Sequence, residues 1–233
     1  MDSVHRKQLK QDKFVEQVTH SVEYAAEHRD QMMKWGAAAL AVLVVAVGAY
    51  WYFSHQHRVR QEALHNAMQT YEAGVGASGN EFLKSFPTQE EKDKAVIKDL
   101  SEVANKYSGK EEGRIAQYFL GLYYADKGNL TEAEKQLKPV AESGKDAYAS
   151  QAKLSLAQIY DSMGRQADAE KLLRSIIDDP TILVSKEQAT IALAKVLAKK
   201  NPAEARKLLE PLRAERGPVS RAALTALGEM SAQ

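Results

Sequence analysis

Residues 118–137 read YFLGLYYADKGNLTEAEKQL, and the spacing inside this stretch decides the fold. Leu120, Gly121 and Tyr124 fall on one face at helical spacing, Gly128 interrupts, and Ala133 and Leu137 then share a face of a second helix. Small residues at Gly121 and Ala133 let the two helices approach closely. The large apolar residues fill the space between them, and Gly128 supplies a left-handed turn. The pattern recurs downstream: Leu156, Ala157 and Tyr160 precede Gly164, Ala169 and Leu173, and Leu193, Ala194 and Leu197 precede Asn201, Ala205 and Leu209. Ala133, Ala169 and Ala205 stand 36 residues apart, as do Leu137, Leu173 and Leu209, so two independent positions give one period. In the third copy Asn201 is expected to take the left-handed turn. Pro202 then opens a helix, where its missing N–H has no intrahelical use.

This signature resembles the tetratricopeptide repeat. The expected fold class is all-α: one N-terminal transmembrane helix followed by a tetratricopeptide-like helical-hairpin solenoid. A helix pair cannot bury its apolar stripe alone, so about three repeats with capped ends are required. The three repeats occupy residues 111–217, and residues 218–233 form a capping helix in which Leu227-Gly228 matches Leu120-Gly121. Residues 54–110 read as a helical linker and a degenerate first repeat. Its first helix is expected at 57–73, and its second carries Ala95, Leu100, Val103 and Tyr107. Between them a Gly-rich insert at 74–88 breaks the helical spacing and reads as flexible. Pro139 and Pro211, also 36 residues apart, predict kinks or early ends in their helices.

Lys and Arg number 32 against 31 Asp and Glu, a net charge of +1 over 233 residues. That balance lacks the basic footprint of a nucleic-acid-binding chain, so no nucleic-acid partner is expected. The absence of Cys is compatible with an oxidising compartment. The even average conceals residues 35–53, WGAAALAVLVVAVGAYWYF, with no charge over 19 positions. A helix of that length covers roughly 28 Å, close to a bilayer core. Trp35 and the Tyr50–Phe53 cluster suit its two interfaces. The bland alternative is a buried core helix, but the length and the aromatic ends favour a single membrane span.

Thirty-four residues precede the run, and it exceeds the apolar core of a secretory signal, so an uncleaved anchor is expected. Flanking charges balance, Arg29 and Lys34 against Arg58 and Arg60. Arg6, Lys7, Lys10 and Lys13 tip the 1–34 tail toward the cytoplasm. Phe14, Val15, Val18, Val22 and Ala25 form an apolar stripe, which predicts an amphipathic helix over residues 8–33. Gly36 and Gly48 are too far apart to make a small-residue pairing motif.

Catalytic chemistry has no support in these residues. His55 and His57 are two apart on a helix and point to different faces; with His65 they lack the Cys or carboxylates that complete a metal site. No phosphate-cradling loop, nucleophile elbow or zinc-protease helix is present, so no catalytic residue, metal or cofactor is expected. Binding is better supported. In tetratricopeptide arrays the first helices line a concave groove. The matching positions are Ile115, Tyr118, Leu122 and Asp126, then Gln151, Leu154, Gln158 and Ser162, then Gln188, Ile191, Lys195 and Lys199. Such a groove runs from apolar to polar and basic, and suits an extended or partly unfolded peptide with Tyr118 and Leu122 as anchors. Tyr118 and Leu122 stand where the carboxylate-clamp subclass needs Lys and Asn, which sets that subclass aside.

A short charged tail, one span and a degenerate repeat domain resembles the bacterial ancillary SecYEG translocon subunit family. The resemblance is carried by the aromatic-ended span, by Lys106-Tyr107-Ser108-Gly109 and by the stretch at 118–137. It implies a non-enzymatic inner-membrane protein with a cytoplasmic N-terminus and a periplasmic repeat domain. It further implies a place beside the secretion channel, passing exported clients to periplasmic chaperones. A second reading is a structural adaptor organising an envelope complex for cell division or outer-membrane assembly.

Overall fold

The computed structural model describes residues 28–76, 84–144 and 147–231. The tail helix expected over residues 8–33, with its stripe from Phe14 to Ala25, lies outside the described residues up to residue 27. Among the described residues there are nine helices: α1 (Arg29–Glu72), α2 (Gln89–Lys106), α3 (Glu111–Asp126), α4 (Leu130–Ala141), α5 (Ala147–Ser162), α6 (Gln166–Asp178), α7 (Lys186–Leu197), α8 (Pro202–Arg213) and α9 (Pro218–Ser231). Two short strands, β1 (Gly74–Val75) and β2 (Ser85–Phe86), pair in parallel. The chain divides into two units, residues 1–58 and 59–233.

In the first unit, α1 is long and apolar enough to cross a membrane. Every residue from Arg29 to Phe53 is exposed, including Trp35 at 76% and Val45 at 71%. About midway along α1 the rings of Trp51 and His55 stack, with centroids 5.7 Å apart.

In the second unit, helices alternate as first and second members of hairpins, and each boundary has a local cause. Thr88, Asn129, Ser185 and Asn201 each accept a hydrogen bond from the backbone N–H three residues on, capping α2, α4, α7 and α8. Gly128 and Gly164 take φ of +75° and +77°, the left-handed turns expected between α3 and α4 and between α5 and α6. Asn201 departs from expectation. Its φ is −140°, so it is an N-cap rather than a left-handed residue, and Pro202 opens α8 directly behind it. The third hairpin is correspondingly shorter: Leu193 to Ala205 is 12 residues, where Leu120 to Ala133 and Leu156 to Ala169 are each 13. The residue reappears just upstream, between α6 and α7, where Leu173 to Leu193 is 20 residues against 19 for Leu137 to Leu156. Both prolines sit inside their helices, and α4 and α8 stop two residues beyond Pro139 and Pro211.

The repeating positions form the core. Ala133, Ala169 and Ala205 are fully buried, as are Leu137 and Leu209, and Leu173 is nearly so. A second cluster closes the N-terminal end, where Ala67 of α1 and Val96, Leu100 and Val103 of α2 pack with Ala116, Leu120 and Tyr123 of α3. Val96 holds the buried position expected of Ala95, which is only partly buried. At the mouth of the 74–88 insert the strands pair, and Lys84 Nζ donates to buried Thr70 Oγ1 at 2.6 Å while Thr70 donates to Asp99 at 2.6 Å. Residues 77–83 of the insert lie outside the described residues.

First helices touch the first helices of neighbouring pairs: α3 meets α5, α5 meets α7, and α7 meets α9. Among the described residues the backbones of α4 and α6, and of α6 and α8, do not approach each other comparably. Helices closer on one side than on the other make the stack curve, with the first helices on its inner face.

Candidate protein-binding groove

The repeat period aligns the predicted residues into four rows across α3, α5 and α7, the last ending at Lys199 in the turn after α7. Tyr118, Leu154 and Ile191 form the deepest row. Tyr118 is 8% and Leu154 7% exposed, and Ile191 packs partly buried against the same core. Tyr118 meets Phe119 and Tyr148 edge to face at centroid distances of 5.2 and 5.7 Å, and burial holds its hydroxyl above its ordinary pKa. The expectation of Tyr118 as an accessible anchor is therefore corrected, since its ring is committed to the floor between two repeats. Leu154 shares that role.

The other rows border this floor. Ile115, Gln151 and Gln188 form one edge, with Ile115 and Gln151 half-buried and Gln188 exposed. Gln151 Nε2 donates to the Leu183 carbonyl at 3.1 Å, so this side chain already holds a backbone group from the α6–α7 connection. That connection is a built turn. Thr181 N–H donates to the Val184 carbonyl at 3.0 Å, Val184 is fully buried, and Ile182 at the tip is 95% exposed. On the other edge, Leu122 is half-buried, Gln158 and Lys195 are exposed, and Lys195 Nζ lies 3.2 Å from a Glu229 carboxylate oxygen of α9. Asp126, Ser162 and Lys199 make an exposed outer row. The Ser162 hydroxyl turns inward, donating to the Gln158 carbonyl at 2.9 Å.

An aromatic path extends the floor toward the N-terminal end. From Tyr118 it continues through Phe119 to Tyr71 of α1, 5.5 Å on, and from Tyr71 to Tyr123 at 5.9 Å. Tyr71, Phe119 and Tyr148 are half-buried and were missed by spacing, because no single-helix period links residues on three different helices. On the outer helices, ion pairs stitch successive pairs: Glu134 of α4 accepts from Tyr160 and from Arg165 at 2.9 Å, and Arg174 of α6 reaches Glu204 of α8 at 2.9 Å. Burial alone would raise the Glu134 pKa, but the Arg165 and Tyr160 hydrogen bonds outweigh it and hold it low. A pocket of about 470 Å³ between α6, α7 and α8, lined by Ile177, Leu193 and Leu208 among others, contains none of the predicted groove residues.

Among the described residues no group of three or more His, Asp or Glu is placed to hold a metal ion. His55 is stacked on Trp51, and His65 lies 3.1 Å from Gln69. Chemically, the rows offer an apolar floor bordered by carboxamides and ammonium groups.

Residues 31–179 match the family described as tetratricopeptide repeat-like domain. Two crystal structures of the nearly identical TPR-like repeats of a Podosopora anserina chain described as a kinesin light chain, one a point variant, superpose with a TM-score of 0.52 at 18% identity. They cover 62% of this chain and 79% and 80% of theirs, a likeness of fold. No curated protein matches this chain in sequence.

Proposed function

Since the chain belongs to the tetratricopeptide repeat-like domain family, whose fold is a protein-interaction scaffold, we propose that it is a membrane-anchored, non-enzymatic binding protein for exported polypeptides. The observation that carries this reading is the exposure of α1. Nineteen consecutive uncharged residues, Trp35 to Phe53, are exposed on a helix long and apolar enough to cross a membrane, and so large an apolar surface calls for lipid. The balance of Lys and Arg in the tail supports a cytoplasmic N-terminus and a periplasmic repeat domain in an inner membrane. Single-span anchoring of a groove that accepts extended chains fits a place beside the secretion channel, handing clients to periplasmic chaperones, as the resemblance at 118–137 implies.

Photocrosslinking from probes at Leu122 and Gln158 in native membranes tests compartment and partner together. Capture of secretion-channel subunits, exported clients or periplasmic chaperones is the expected result. Capture restricted to folded envelope-assembly proteins favours the adaptor reading, and capture of cytosolic proteins overturns the topology.

A further inference from the structure

Helix α9 is a first helix without its second. Ala223, Leu227 and Gly228 repeat the spacing of Ala116, Leu120 and Gly121 in α3, and α9 packs on α7 and α8 with Ala223 and Ala226 buried. The side of α3 that carries Gly121 is closed by Leu137 of α4, which leaves no room for a Cβ. Gly228 stands at the same place in α9, and among the described residues nothing lies within 4 Å of a Cβ built there. Four residues before the small one, the earlier first helices carry Gln117, Lys153 and Thr190, whereas α9 carries Leu224, 50% exposed. A side meant for solvent should be at least as polar as its paired counterparts, and this one is more apolar. Leu224 and Gly228 lie one helical turn apart on one stripe, so a knob stands beside a notch.

We propose that α9 joins two copies of this chain, the helices lying antiparallel across a two-fold axis with Leu224 of each over Gly228 of the other. Such a pair makes the Leu137 to Gly121 contact twice, in the antiparallel sense that α3 and α4 already have as neighbours joined by a three-residue turn. The stack's own helix-to-helix interface is thereby continued across the axis. Charge sets the direction. Arg221 stands near the start of the stripe and Glu229 near its end, and Glu229 remains half exposed although its carboxylate lies 3.2 Å from Lys195 Nζ. An antiparallel pair brings opposite charges together at both ends, while a parallel pair sets each beside its like. One helix pair buries well under the roughly 1,200 Å² of a standard complex, so the dimer is weak. The contact uses none of the groove rows and does not depend on what they bind.

Sedimentation equilibrium of the full chain in detergent tests the proposal, with a monomer to dimer equilibrium expected below about 100 μM. Gly228→Leu fills the notch, and Leu224→Gln replaces the knob with the residue that α3 carries there. Each should weaken dimerisation about tenfold or more. Both positions are exposed, so neither change should lower the melting temperature, which separates loss of the contact from loss of the fold. Ile182→Gln, at an exposed apolar side chain away from α9, should leave the dimer unchanged. The chain has no Cys, so a short bismaleimide reports single introduced thiols. Arg221→Cys mixed with Ser231→Cys should crosslink, and neither alone, because antiparallel copies hold like positions about 15 Å apart along the axis. A chain that stays monomeric overturns the proposal and leaves the open side of α9 to a helix of another protein. A dimer that neither substitution weakens overturns it in favour of another surface. Crosslinking of each variant with itself as readily as in the mixture overturns the antiparallel arrangement and the proposal with it.

Discussion

A Cβ placed on Gly121 would stand 2.5 Å from Leu137 Cγ, the branch point of a fully buried side chain on the facing helix. Helix α3 and helix α4 approach so closely at this point that only hydrogen fits between them. Gly121→Ala gains some helix propensity, about 1 kcal/mol, but forces Leu137 off its position. The net expectation is a loss of about 1–2 kcal/mol, read as a lower midpoint in chemical denaturation of the detergent-solubilised chain. The equivalent places in the next two hairpins carry Ala157 and Ala194, so the same substitution is already accommodated there.

Gly128 and Gly164 present the opposite case, because nothing lies within 4 Å of either position and space is no obstacle. Their constraint is the backbone, at φ of +75° and +77°. Replacing either by Val should cost on the order of 1–2 kcal/mol or more through left-handed strain alone. Melting of the two variants measures it, and an unchanged melting temperature would contradict the turn assignment.

Ala169 is fully buried between α6 and its neighbours. Ala169→Leu adds three carbons to a packed site and should destabilise by roughly 1–3 kcal/mol. Ala167 on the same helix is exposed, so Ala167→Leu serves as the matched control and should leave the denaturation midpoint nearly unchanged.

Asp93 accepts hydrogen bonds from Lys127 and Tyr123, which join α2 to α3 and hold its carboxyl down at about 2, with Lys127 the larger cause. A lowered value in the folded chain means that the ionised form is the stabilising one. The contribution is present in full above the unfolded carboxylate range near 4 and is lost as pH falls toward about 2. Asp93→Asn should weaken the fold at neutral pH by on the order of 1 kcal/mol, and should show a shallower loss of stability between pH 4 and 2 than the parent. Denaturation midpoints at neutral and acid pH supply the comparison.

The hairpin stack was legible because its requirements repeat. Close approach demands a small residue at Ala133, Ala169 and Ala205, and each hairpin states that demand again at the same interval. The groove was less legible. Tyr118 and Leu122 lie one helical turn apart, and spacing cannot say which of two such neighbours faces the adjacent repeat. That depends on how far α5 tilts against α3, and the structure gives Tyr118 to the floor and leaves Leu122 at the edge. Asn201 was misassigned for a related reason: Asn suits both a left-handed turn and an N-cap, and Pro202 immediately behind it decides for the cap. The pairing of Gly74–Val75 with Ser85–Phe86 had no period to announce it, being two residues long on each side.

The residue missing from the α7–α8 turn and the extra one before α7 cancel, so Ala205 and Leu209 arrive on schedule although Leu193 is one place late. One connection has lost a residue and another has gained one, while the buried Ala and Leu of the second helices keep their interval; the outer helices, rather than the inner ones, hold the register of this array.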